Sequence, residues 1–358
     1  MYSVAVIGAT GVVGQQFLVA LDRHPWFKVD CLAASPRSAG KPYIEALRGP
    51  EGEVRWFCDE PIPESFIDME VKDSSTIDPS DFDIIFTAVE SDVALKIEPV
   101  YAKETAVVST ASAFRYEEDV PILVPGINDN HVKLIELQKK RRGWNGFITP
   151  IPNCTTTGLV VTLKPLLDEF GLDKVIMTSM QALSGAGRSP GVLALDIIDN
   201  IIPYIRGEEW KVEVESRKIL GSLINDKIKP ADFKISCTCT RVFVKDGHTE
   251  VVYASLRRKA SIEEVKEVFT RFGESVFRNK DLPSAPERFI ICFDDPFRPQ
   301  PRLDRDLYGG MAVAVGRIRE DPALENGVKY VLLSHNTRLG AAKGAILVAE
   351  LLVREGVV

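Results

Sequence analysis

Near its start the chain reads Val4-Ala5-Val6-Ile7 and continues Gly8-Ala9-Thr10-Gly11-Val12-Val13-Gly14. The apolar run has the pattern of a strand buried on both faces, and the glycines allow a turn tight enough to lead straight into a helix. The spacing is G-x-x-G-x-x-G, not the G-x-G-x-x-G form, but the physics is shared. Without Cβ atoms in the way, backbone N–H groups can approach a pyrophosphate at the helix N-terminus. A plain strand–helix turn would use the same residues, so the motif alone leaves that alternative standing.

Up to about residue 150 the chain alternates strand and helix patterns, which predicts a doubly wound, mostly parallel sheet. Residues 4–7, 29–33, 83–87, 106–109 and 122–124 are candidate strands, with candidate helices at 15–22 and 94–103. Residues 42–63 are polar, aromatic and irregular, an excursion from that sheet. Beyond Pro150 the pattern changes. Helices are expected at 155–170, 192–205, 208–220 and 261–272, and a strand at 174–181. Residues 233–244 and 248–256 read as a hairpin around Asp246-Gly247. An Ala/Leu-rich helix is expected at 337–353. The fold class is therefore α/β: a Rossmann-type doubly wound sheet with a second α+β catalytic and dimerisation domain. The expected boundaries are 1–152 for the nucleotide-binding domain, with 335–358 packing on it, and 153–334 for the second domain.

A length of 358 residues fits two domains, and 45% hydrophobic with 27% charged residues is an ordinary globular composition. The net charge of -7 argues against a nucleic-acid partner. Neither a signal-peptide pattern nor an apolar run of membrane-spanning length is visible, so a cytoplasmic location is expected. None of the six cysteines forms a C-x-x-C pair, and no metal site is expected.

The second expected strand bears on the choice of cofactor. An NAD site places an acidic residue at that strand's end, but Asp30 falls near its start. At its end stand Ser35, Arg37, Ser38 and Lys41, whose hydroxyls and cations suit the 2′-phosphate of NADP. A solvated basic loop would show the same residues.

Cys154 lies in Pro152-Asn153-Cys154-Thr155-Thr156, immediately before an apolar helix pattern. At a helix N-terminus the macrodipole and open N–H groups favour a thiolate, and with the Asn153 amide they could hold an oxyanion. Of the four histidines, His24 reads as a surface or cap residue, His131 lies at a helix start and His335 near the last helix. His248 opens the return strand of the expected hairpin, where parity puts it on the same face as Arg241. An exposed sheet face would carry the same pair. Gln181 ends a strand before the flexible Ser184-Gly185-Ala186-Gly187 loop, and Glu215 and Lys218 are neighbours on one helix face. Arg115 follows a candidate strand end, where such sheets bind ligands.

Taken in order, these residues resemble the aspartate-semialdehyde dehydrogenases, in their archaeal and fungal branch, over nearly the full length. The markers are Gly8-Ala9-Thr10-Gly11-x-Val13-Gly14, Ala34-Ser35-x-Arg37-Ser38-Ala39-Gly40-Lys41 and Asn153-Cys154-Thr155-Thr156. Further markers are Gln181-Ala182-x-Ser184-Gly185-Ala186-Gly187, the pair Arg241 and His248, and His335-Asn336-Thr337. The resemblance implies that Cys154 forms an acyl-enzyme, His248 acts as general acid/base and Gln181 positions the substrate. It implies that Arg241 holds the α-carboxylate, Glu215 the ammonium, and Arg115 and Lys218 the phosphate. Cofactor contacts would fall on Gly8, Thr10, Gly11, Val12 and Val13, on Ser35, Arg37 and Ser38, and on Ser184, Gly185 and Asn336. The implied reaction is the NADPH-dependent reductive dephosphorylation of L-aspartyl-4-phosphate to L-aspartate 4-semialdehyde, on the path to lysine, methionine and threonine, in a homodimer or homotetramer. Two departures stand out: Thr155 where the family usually has Ser, and Arg188-Ser189 where an aromatic residue is expected. A malonyl-CoA reductase on the same fold is the enzymatic alternative, against which Asn153 argues. A non-catalytic NADP-binding regulator would not need Cys154, Arg241 and His248 together.

Overall fold

The computed structural model describes residues 1–187 and 191–358; Arg188 and Ser189 lie outside them. The chain forms two compact units, one of residues 1–123, 130–151 and 341–358, the other of residues 124–129 and 152–340. The expected boundaries differ at three places. Residues 124–129, Pro152 and residues 335–340 belong with the second unit, and only from Ala341 does the C-terminal segment belong with the first.

The first unit contains β1 (Tyr2–Ile7), α1 (Val12–Leu21), β2 (Phe27–Ala34), β3 (Lys41–Pro42), α2 (Tyr43–Ala46), α3 (Glu64–Ile67) and β4 (Glu70–Asp73). It continues with β5 (Ile84–Thr87), α4 (Ser91–Tyr101), β6 (Ala106–Ser109), α5 (Leu134–Arg142) and β7 (Phe147–Pro150), and closes with the helix Ala342–Arg354. Its seven strands run in the order β3-β4-β2-β1-β5-β6-β7, all parallel except β3. The order reverses at β1, so the glycine turn opens at the switch point where such sheets bind ligands. Along β1, Val4 and Val6 enter one core and Ala5 and Ile7 another, which is why the strand reads as unbroken apolar sequence.

The turn itself requires glycine. Gly8 has φ +82°, and a Cβ there would collide with the Ala88 carbonyl; one at Gly14 would collide with the Gly8 carbonyl. The irregular stretch after β2 supports this turn. The buried Tyr43 hydroxyl donates to the Ala9 carbonyl at 2.9 Å, and Gln15 Nε2 donates to the carbonyls of Thr10 (3.2 Å) and Arg55 (2.7 Å).

Two local expectations fail here. Residues 122–124 are buried but form no strand, because Pro121 and Pro125 offer no N–H to a ladder; β7 takes the edge position instead. His24 is no surface cap. It is buried, accepts the backbone N–H groups of Trp26 and Phe27 through Nδ1, and meets buried Glu350 of the C-terminal helix through Nε2 at 2.9 Å.

The second unit contains α6 (Cys154–Phe170), β8 (Leu172–Gln181), α7 (Ala194–Ile197), α8 (Glu208–Ile219), β9 (Ser222–Ile224), β10 (Lys227–Lys229), β11 (Lys234–Arg241) and β12 (His248–Leu256). It ends with α9 (Ile262–Ser275), β13 (Ile290–Phe293), α10 (Pro301–Asp304), β14 (Val313–Asp321) and β15 (Gly327–Ser334). Its main sheet has the order β11-β8-β12-β15-β14-β13, with β9 and β10 as a separate pair. α6 packs on this sheet, and at Gly158 a Cβ would collide with the Ser334 hydroxyl, so glycine sets how closely helix and sheet approach.

Here too the sequence reading needs correction. β11 and β12 are not a hairpin: β8 lies between them, parallel to β11 and antiparallel to β12. The helix expected at 192–205 shrinks to the single turn α7. Asp199 takes φ +55°, and Ile202 instead exchanges backbone hydrogen bonds with Arg241 at 3.1 and 2.8 Å. Residues 337–341 are not helical, and the final helix starts at Ala342. No helix among the described residues is long and apolar enough to cross a membrane.

The His24–Glu350 contact yields a stability prediction. His24→Ala removes a hydrogen bond to a buried carboxylate and should cost about 1.5–3 kcal/mol, read from urea unfolding.

Candidate active site

Cys154 is the first residue of α6, as the sequence implied, and Asn153 is its N-cap. Asn153 Oδ1 accepts the backbone N–H groups of Thr155 at 3.0 Å and Thr156 at 3.4 Å. That cap ends the chain's extended run and points the first turn at a fixed angle. The rest of Asn153 is also engaged. Nδ2 donates to Glu208 Oε2 at 2.7 Å, and the backbone N–H donates to Glu215 Oε2 at 2.6 Å. The side-chain oxygen thus holds the helix start, and one of the two N–H groups on Nδ2 is committed to Glu208.

Glu208 was not among the residues singled out from sequence. It stands seven positions before Glu215, hence on the same face of α8, and that spacing was the available signal. Lys211 donates to its other oxygen at 3.1 Å. Glu215 is fully buried, and Lys218 lies half-buried one turn further on.

The parity inferred from a hairpin survives for a different reason. Arg241 on β11 pairs directly with Gln181 on β8, and the β12–β8 register, Thr249 opposite Met180, carries His248 to the same level. His248 in turn pairs with Ser334 on β15. Arg241, Gln181, His248 and Ser334 thus form one row across four strands, projecting to one face. All four are buried. Gln181 Nε2 donates to Ser179 Oγ at 3.3 Å.

Cys154 Sγ lies 3.1 Å from His248 Nε2. On the other side of the ring, Nδ1 accepts the backbone N–H of Ala182 at 3.0 Å. The Ala182 carbonyl accepts Arg241 Nη1 at 2.6 Å, so one residue ties down both side chains. Burial first, then the Arg241 guanidinium and His335, push the His248 imidazolium down to about 3. Burial also lowers Arg241, against the opposing pull of Cys154 and Glu208.

The Ser184–Gly187 loop fits closely over this row. A Cβ on Gly185 would come 3.0 Å from both Arg241 Nη1 and His248 Cε1. Asn336 spans from this loop to β12, donating to Ser184 Oγ at 2.7 Å and accepting the Gly247 N–H at 2.8 Å. Gly340, also unremarked in the sequence, passes over the thiol, where a Cβ would lie 2.9 Å from Cys154 Cβ.

The remaining expected site residues belong to the first unit. Gly8, Thr10, Gly11, Val12 and Val13 form the turn and first helical residues after β1; Ser35, Arg37 and Ser38 form the exposed turn after β2. Arg115 is buried and donates through Nη2 to the Thr110 carbonyl at 3.0 Å. Of the other cysteines, Cys31, Cys237 and Cys239 are buried and Cys58 and Cys292 half-buried. Burial pushes Cys239 up to about 12 and Cys292 up to about 11.

Residues 3–135 match the family model described as semialdehyde dehydrogenase, NAD binding domain, and residues 163–339 match semialdehyde dehydrogenase, dimerisation domain. A protein from Archaeoglobus fulgidus named aspartate-semialdehyde dehydrogenase is 51% identical over 360 residues, covering 100% of this chain and 99% of its own. One of the same name from Methanothermobacter thermautotrophicus is 48% identical over 98% of this chain and 99% of its own. This chain belongs to the aspartate-semialdehyde dehydrogenase family. The crystal structure of the family member from Candida albicans with NADP superimposes with a TM-score of 0.89 at 40% identity, covering 100% of both chains. Within this family fold, the helix start, the four-strand row and the glycine loop bring a thiol, an imidazole and a guanidinium together.

If Asn153 sets the position of the thiol, Asn153→Ala should lower unfolding stability by about 1–2 kcal/mol. It should also slow alkylation of Cys154 by iodoacetamide, measured as labelling kinetics on the folded protein.

Proposed function

We propose that this enzyme carries out the NADPH-dependent reductive dephosphorylation of L-aspartyl-4-phosphate to L-aspartate 4-semialdehyde, reversibly, through a thioester on Cys154. The observation that carries the reading is the 3.1 Å approach of Cys154 Sγ to His248 Nε2 at a helix N-terminus, with Arg241 in the same row. The thiolate attacks the acyl carbon and phosphate departs, leaving the acyl-enzyme. Arg241 holds the substrate α-carboxylate, Glu215 its ammonium, and Arg115 and Lys218 the phosphate; Gln181 orients the acyl group at sulfur. Each charge of the substrate then meets an opposite one.

The first unit suits NADP on its own evidence. Gly11 stands at the N-cap of α1 with no side chain bonded to the helix's first N–H groups, and no acidic residue lies in its first turn. Ser35, Arg37 and Ser38 would hold the 2′-phosphate, and Ser184, Gly185 and Asn336 the nicotinamide end. When bound, NADPH supplies the hydride that reduces the thioester. The names of the relatives do not favour the acyl-CoA alternative.

We also infer a homodimer or homotetramer located in the cytoplasm. Leu193, Leu195, Ile198, Ile201 and Tyr204 are all more than half exposed, apolar side chains that a second copy would cover. It lies in the part of the chain that matches the dimerisation-domain model.

Turnover is measured as phosphate-dependent NADP reduction by aspartate semialdehyde. Cys154→Ala should abolish it while NADP still binds; retained activity would sink the mechanism. Arg241→Leu should mainly raise KM for the semialdehyde, and an unchanged KM would remove Arg241 from the carboxylate site.

A further inference from the structure

We propose that Glu98 is a positioning residue: by joining the ends of β5 and β6 it fixes the segment Ser109–Arg115 and so aims the Arg115 guanidinium at the substrate phosphate. The proposal rests on the reading of Arg115 as a phosphate anchor and names the group that holds that anchor in place.

Glu98 lies on α4 and is fully buried. Its Oε1 accepts the hydroxyls of Thr87 at 2.5 Å and Ser109 at 2.6 Å. These are the last residues of β5 and β6, and they stand opposite each other in the parallel register. Oε2 is buried with no hydrogen-bond partner among the described residues. A carboxyl is costly to bury, and more so with one oxygen unsatisfied. An apolar side chain of that size would fill the space but would not join the two hydroxyls.

The two hydroxyls lead to different places. While donating to Glu98, the Ser109 hydroxyl accepts the Ala111 N–H at 3.0 Å, which turns the chain just past β6. With its proton committed to the carboxyl, this hydroxyl keeps its lone pairs turned to that N–H. Removing the carboxyl frees the hydroxyl to rotate and loosens the turn. Thr110 sits in the same turn, its N–H and its hydroxyl donating to the Thr87 carbonyl at 3.0 and 3.1 Å. The Thr110 carbonyl in turn accepts Arg115 Nη2 at 3.0 Å, and the Arg115 N–H donates to the Ser112 carbonyl at 3.3 Å. α4 holds the segment at a second point, where the Ser91 and Ser112 hydroxyls lie 2.9 Å apart. Ser91 and Glu98 are two turns apart, hence on one face of the helix.

The Thr87 hydroxyl leads instead toward the glycine turn, since the carbonyl of the next residue, Ala88, lies against Gly8. That turn has its own anchor in the Ala88 N–H, which donates to the Ile7 carbonyl at 2.8 Å without involving Glu98. The segment that carries Arg115, not the glycine turn, therefore depends on the carboxyl. The guanidinium also lies within electrostatic reach of it: burial raises the Glu98 carboxyl, and Ser109, Thr87 and Arg115 pull it back.

The test is kinetic, on the whole enzyme, with KM for phosphate, aspartate semialdehyde and NADP each measured by NADP reduction. Glu98→Ala should raise KM for phosphate at least about tenfold, a modest loss for a misplaced binding group. Its KM values for NADP and the semialdehyde should stay within about twofold, the tolerance for independent sites. Ser109→Ala should behave in the same way, and it decides the matter if Glu98→Ala is too unstable to assay. Thr87→Val, which cuts only the other contact, should keep KM for phosphate within about twofold. Glu98→Gln retains an acceptor oxygen for both hydroxyls and should restore KM for phosphate to within about twofold of wild type. In an Arg115→Ala background, Glu98→Ala should add less than about twofold, because residues that act through one contact are not additive. Equal rises in KM for phosphate and NADP, an additive double variant, or no rescue by Gln would overturn the proposal. Failure of the underlying reading shows separately, as an unchanged KM for phosphate in Arg115→Ala alone, and the proposal falls with it.

Discussion

The position of the reactive sulfur depends on Asn153. Through its side-chain oxygen, its side-chain nitrogen and its backbone N–H, this residue closes the first turn of α6 and binds two buried carboxylates of α8. None of those contacts touches the thiol, yet together they fix where the helix begins, and a helix start is where a thiolate is best supported. The carboxylates are held at the same time, so the helix start and the glutamate proposed for the substrate ammonium are positioned by one set of bonds.

The opposite wall of the site follows from sheet register. Placing β8 between β11 and β12 brings Gln181, distant in sequence, to one level and one face with Arg241 and His248. At the end of β8 the chain turns, and Ala182 uses its N–H for the imidazole and its carbonyl for the guanidinium. A peptide group has no rotamers to lose, so it is a stiffer orienting element than a side chain. The tight fit at Gly185, where a Cβ would come 3.0 Å from both Arg241 and His248, has the same origin.

In the first unit, too, polar groups are buried where they hold backbone in place. Tyr43 and Gln15 support the glycine turn, and Glu98 accepts Thr87 at 2.5 Å and Ser109 at 2.6 Å at the ends of β5 and β6. Burial raises the Glu98 carboxyl, against the pull of these two hydroxyls. Each of these groups lies close to the strand ends or turn where such a sheet meets its ligand.

Local pattern was enough to read β1 and its glycine turn, the helix beginning at Cys154, and the capped helix α9 with its Ser261 and Glu264 capping box. These depend on residues within a few positions of one another, where backbone freedom and capping chemistry act. The candidate residues were legible for the same reason: a cysteine at a helix start and a histidine opening a strand are local facts. The order of β11, β8 and β12 was not legible, because a short connection between two strand patterns looks like a hairpin whether or not a third strand enters between them. Residues 192–205 misled in a similar way. Apolar periodicity suggested a helix, but Asp199 turns left-handed and Ile202 bonds to Arg241 instead of to its own segment. Glu208, Ala182 and Gly340 escaped notice because their roles are contacts across the fold, made by a carboxylate, a peptide group and a missing side chain that look ordinary in sequence. The sequence by itself determined that the chain has a nucleotide-type turn and a thiol at a helix start, since both are set by short-range geometry. Only the tertiary structure decided which groups face that thiol and which backbone groups orient them, because both depend on hydrogen bonds between segments far apart along the chain.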